Sequence, residues 1–106
     1  MEFQKLADNL EFELEDYLEL VELFIETSLT DIDKINEAIE NKNPDKASNA
    51  IHAIKGAAGN LGFMEIYETA QKLEAGARNS RLDEIVEPIN QLKATISEIS
   101  DQAVKP

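Results

Sequence analysis

The chain has no cysteine among its 106 residues. Disulfides and thiolate metal sites are excluded, and the absence fits a reducing compartment. Proline and glycine are scarce, at three and four residues, so helix-breaking punctuation is sparse. No apolar run approaches the roughly 20 residues that span a bilayer. The start, Met1-Glu2-Phe3-Gln4, lacks the charged-then-apolar pattern of a signal peptide. The expectation is a soluble cytoplasmic protein. Positive charge is also short: 10 Lys and Arg face 22 Asp and Glu, for a formal net charge of −12. No basic stripe is available to displace counterions, so neither nucleic acid nor an anionic membrane surface is an expected partner. The acidity reads as solubility.

What is present is helical spacing. The length fits one domain, expected over residues 1–106 with a core bundle over about 15–100. No segment shows sustained period-two alternation of strand formers, and apolar residues recur three, four or seven apart. A short first helix is expected from about Glu2 to Asn9, with Phe3, Leu6 and Leu10 as contacts. A long second helix, about Glu15 to Asn41, carries Leu14, Leu18, Val21, Ile25, Ile32, Ile35 and Ile39 inward. Leu20 and Phe24 form a second apolar edge, open to the first helix or to a partner. Asn43-Pro44-Asp45 is a helix start, with Asn as N-cap and Pro at the first helical position. The third helix buries Ala47, Ile51, Ile54, Ala58 and Leu61 and stops at Gly62, which is free to turn left-handed. The fourth, about Met64 to Arg78, buries Ile66, Ala70, Leu73 and Ala77. Ser80 and Asp83 resemble a capping box. The fifth, about Leu82 to Ser100, buries Leu82, Ile85, Ile89, Leu92, Ile96 and Ile99, with a kink or late start expected at Pro88. Short connections imply antiparallel neighbours. The expected fold is all-α: an up-down-up-down four-helix bundle with a short extra N-terminal helix.

The third helix carries the chemistry. His52 is the only histidine in the chain. Lys55, Gly56 and Gly59 follow at three, four and seven residues, which stacks them on one helix face apart from the buried stripe. Glycine inside a helix costs roughly 1 kcal/mol against alanine. Two of them beside a histidine and a lysine are accounted for if something must approach that histidine unobstructed. Imidazole titrates near pH 6.5, so much of it is neutral at pH 7 and a ring nitrogen can act as a nucleophile.

His52-x-x-Lys55-Gly56, followed by Gly62, with Ile54, Ala57, Ala58 and Asn60-Leu61 around it and Ala70-Gln71-Lys72-Leu73-Glu74 on the next helix, resembles the histidine phosphotransfer (HPt) domain of phosphorelays. The likeness is sharpest over residues 44–78. It implies a phosphocarrier in two-component signal transduction, with His52 as phosphoacceptor and no kinase or nucleotide site of its own. It implies an orienting acceptor for the second ring nitrogen from the following helix. The matching residue is Glu74, with Gln71 as the alternative one turn earlier. Lys55 would neutralise phosphoryl charge. Gly56, Gly59, Asn60 and Met64 would meet the docking partner, with Phe24 and Lys72 as further candidates. The implied partners are response-regulator receiver domains, a sensor histidine kinase, or both. No cofactor of its own is implied, since Mg²⁺ belongs on the receiver, and a monomer suffices.

Two alternatives stay close to this reading: the phosphoacceptor domain of a chemotaxis-type kinase, and a receiver-binding adaptor that is never phosphorylated. A carboxylate-bridged metal enzyme is disfavoured. Glu19, Glu22 and Glu26 have helical spacing, but di-iron bundles use Glu-x-x-His pairs, and the position three before His52 is Asn49.

Overall fold

The computed structural model describes residues 2–103; Met1 and residues 104–106 of the expected domain lie outside the described residues. It contains five helices: α1 (Phe3–Asn9), α2 (Leu14–Glu40), α3 (Pro44–Leu61), α4 (Met64–Arg78) and α5 (Leu82–Ala103). No strand occurs among the described residues. Helix α3 packs on α2 and α4, α5 also packs on α2 and α4, and α1 lies on α2.

Every inward position expected of α3, α4 and α5 is buried. Each fully buried Ile contributes roughly 1.5–3 kcal/mol, and Ile51, Ile54, Ile89 and Ile96 are all in that class. The stripe on α2 sits differently. Leu14, Leu18 and Ile39 are only half-buried, while Tyr17, Phe24 and Ala38 are buried. Phe24 meets Phe63 edge-on at 5.3 Å between ring centroids, so it is core, not docking surface; Leu20 beside it stays exposed. Phe3 and Leu6 of α1 pack against the core, whereas Leu10 faces solvent. The Tyr17 hydroxyl donates to the Leu61 carbonyl at 2.6 Å. That bond satisfies one of the orphan acceptors at the end of α3. Burial pushes the Tyr17 phenol up to about 12.

The four junctions between helices share one motif. Glu11, Lys42, Gly62 and Ser80 have φ of 62°, 54°, 81° and 58°. In each case the following amide donates back to the helix just ended: Phe12 to Ala7, Asn43 to Ala38, Phe63 to Ala58 and Arg81 to Gly76, at 2.8–2.9 Å. This is the Schellman closure, in which glycine is the favoured left-handed residue. Only one of the four positions has it. Ser80 therefore ends α4 instead of capping α5, which corrects the capping-box expectation. An N-cap needs extended backbone, and a left-handed Ser80 does not supply it. Asn43 serves two helices: its amide closes α2, and its Oδ1 accepts from the Lys46 amide at 3.1 Å to open α3. Pro88 neither delays nor interrupts α5, which runs as one helix from Leu82. A Cβ at Gly76 would lie 2.9 Å from Ile85 Cγ2, so α4 and α5 can approach this closely only without one.

Candidate functional site

Helix α3 brings His52 to the edge it shares with α4, where its side chain is 61% exposed. The same edge carries Lys55, one turn on. Glu74 comes from α4, with only 4% of its side chain exposed. His52 Nδ1 lies 2.9 Å from Glu74 Oε2, and Lys55 Nζ donates to Glu74 Oε1 at 2.7 Å. Arg78, one turn along α4, donates from Nη2 to Glu74 Oε2 at 2.8 Å. Its Nε reaches Ser48 Oγ on α3 at 3.4 Å. One carboxylate thus holds three cationic or polar partners.

Burial alone would push the Glu74 carboxyl up. Hydrogen bonds from Lys55 and His52, with the charges of Lys55 and Arg78, outweigh that and hold it below its ordinary value. An ionised carboxylate can only accept. His52 Nδ1 is then the protonated, donating nitrogen. Among the described residues no hydrogen bond reaches Nε2, which is left as the ring's lone-pair site.

Gln71 is exposed and makes no hydrogen bond to His52, so of the two acceptor candidates only Glu74 meets the ring. A Cβ at Gly56 would meet nothing within 4 Å, so the surface beside His52 is open there. Gly59 is different: its Cβ would come within 3.2 Å of the Tyr67 ring, so its missing side chain makes room for α4. Asn60 and Met64 are exposed. Sequence reasoning missed Arg78 and Ser48. The signal available was Arg78 at i+4 from Glu74 on a helix, a spacing at which side chains meet. Among the described residues, no group of three or more His, Cys, Asp or Glu side chains is placed to hold a metal ion. No helix among them is long and apolar enough to cross a membrane.

A family model described as "Hpt domain" matches residues 19–102, most of the chain. The chain belongs to this family. No curated protein and no solved structure matches it. Hpt domains are phosphocarriers of phosphorelays, not kinases, and they interact with receiver domains and kinases. The match includes His52, Lys55, Glu74 and Arg78.

Proposed function

We propose that this Hpt domain carries a phosphoryl group on His52, taking it from the aspartyl phosphate of one receiver domain and passing it to the aspartate of another. The bundle reads as antiparallel, with its α3–α4 edge as the working face. The observation that carries the reading is the His52 Nδ1 contact with an ionised, buried Glu74 at 2.9 Å. A histidine with one nitrogen tied to a carboxylate and the other free is fixed in orientation and tautomer.

In the forward step the Nε2 lone pair attacks phosphorus. The N–P bond forms as the bond from phosphorus to the aspartyl oxygen breaks, and the bonding pair leaves on the receiver's carboxylate. No proton has to move. The proton on Nδ1 stays, the ring becomes cationic, and Glu74 stabilises that charge across a contact already made. The reverse step retraces the path. Lys55 shares the same carboxylate and can turn from Glu74 toward the phosphoryl oxygens. Arg78 remains to keep Glu74 ionised when it does. Gly56 leaves room for the receiver, which brings the Mg²⁺ that this chemistry generally uses.

The test is transfer from a panel of phosphorylated receiver domains to wild type and to His52→Gln. Acid-labile, base-stable label on wild type alone is expected. Equal label on the His52→Gln variant would move the acceptor elsewhere. A folded wild type that takes label from no receiver would refute the carrier role and leave the adaptor or the kinase-fed acceptor.

A further inference from the structure

On the opposite flank of α3, between α2 and α3, lies an open groove of about 590 Å³. Asp31 lines it while being only 9% exposed. Among the described residues no hydrogen bond or ion pair reaches its carboxylate. Burial pushes that carboxyl above its ordinary value, and the charge of Lys34, one turn along α2, only partly opposes the rise. No buried side-chain oxygen among the described residues lacks a partner, so the Asp31 oxygens themselves meet the water of the groove and are open to a ligand that enters it.

The groove is shaped to bring a cation to that carboxylate. Its walls include Ala38, Ala50 and Ala53, whose small side chains leave depth above them. An aliphatic stem fits against such walls while its charged head reaches further in. Lys34 and Lys46 border the groove but are exposed, so their ammonium groups can stay in water; Glu37 adds a second negative charge. The chain as a whole carries −12, so the field favours an incoming cation. The groove also adjoins the working face. Asn49 and Ala53, which line it, are exposed on α3 within one turn of His52.

We propose that the α2–α3 groove receives an arginine or lysine side chain of the protein that docks over His52, with Asp31 as the carboxylate that binds it. The partner's identity rests on the phosphocarrier reading; the cation site itself does not.

The first experiment follows the amide resonances of labelled full-length chain during titration with N-acetyl-arginine methylamide, with N-acetyl-glutamine methylamide as the uncharged control. Saturable shifts centred on Ala38, Ala50 and Ala53 are expected with the arginine probe only. Asp31→Asn should weaken binding by about tenfold or more. Lys34→Gln, which removes a competing cation, should tighten it. Absent shifts, equal shifts with both probes, or unchanged binding by Asp31→Asn would overturn the site, whether or not any receiver labels His52. The second experiment uses the receiver that labels wild type best. Asp31→Asn should raise its KM, while labelling by potassium phosphoramidate, a donor too small to need docking, stays the same. An unchanged KM would overturn the docking role.

Discussion

Glu74 and Asp31 are two buried carboxylates on the two helices that flank α3, and they behave oppositely. Glu74 is 3% exposed and Asp31 is 9% exposed. Burial pushes both carboxyls up. At Glu74 the donors from His52, Lys55 and Arg78 reverse the direction. At Asp31 nothing within the described chain does. Depth therefore does not decide which way a buried acid shifts; the donors and cations aimed at it do. Glu74 is satisfied from within the protein, while Asp31 is left to the water of the α2–α3 groove.

The largest effect expected from breaking this contrast is at Glu74. Glu74→Leu leaves three donors without an acceptor, and a loss of about 2 kcal/mol or more should appear in urea denaturation. Asp31→Leu should cost far less. Equal losses would mean that the two acids are alike after all.

A pH series sharpens the contrast. Glu74 titrates below its ordinary value, so its stabilisation is fully present above about pH 4.3 and is lost as pH falls through the lower folded-state value. Asp31 titrates above its ordinary value, so the folded chain binds its proton more tightly than the unfolded chain does. Its penalty at neutral pH is relieved as pH falls through that raised value. On acidification the stability gap between wild type and Asp31→Asn should close before the gap between wild type and Glu74→Gln. The reverse order would contradict the assigned shifts.

The smallest expected effect is Asp31→Asn at pH 7, a gain of less than about 1 kcal/mol from removing a partly desolvated charge. A lowered Tm would mean that the carboxylate already has a partner in solution.

The contrast also marks what was legible in the sequence. Helical periodicity located all five helices and the inward faces of α3, α4 and α5, because a period of 3.6 fixes a face without any knowledge of neighbours. It placed His52 and Lys55 on one edge for the same reason. It could not see that Arg78 on α4 and Ser48 on α3 meet, since that depends on the register between two helices. The expected stripe leaves out Tyr17 and sets Phe24 on a second edge, yet both are buried while Leu14 and Leu18 are only half-buried. A tyrosine is readily read as surface until its hydroxyl is seen to find the Leu61 carbonyl. Nothing in the spacing singles out Asp31 among the 22 acids, and only the α2–α3 packing buries it. Ser80 looked like a cap because its type suits that role, but the backbone turned left-handed there instead.

The Schellman closures at all four junctions have a consequence for how the domain meets a partner. The turn amides of Phe12, Asn43, Phe63 and Arg81 are bonded into the helices they follow. They should exchange with deuterium at rates set by those helices, not at the rates of free loops. A bundle whose connections are tied down in this way has little left to order when something docks on it. Association then pays mainly for bringing two bodies together, and differences between cognate and non-cognate partners should be read in how fast they leave, not in how fast they arrive.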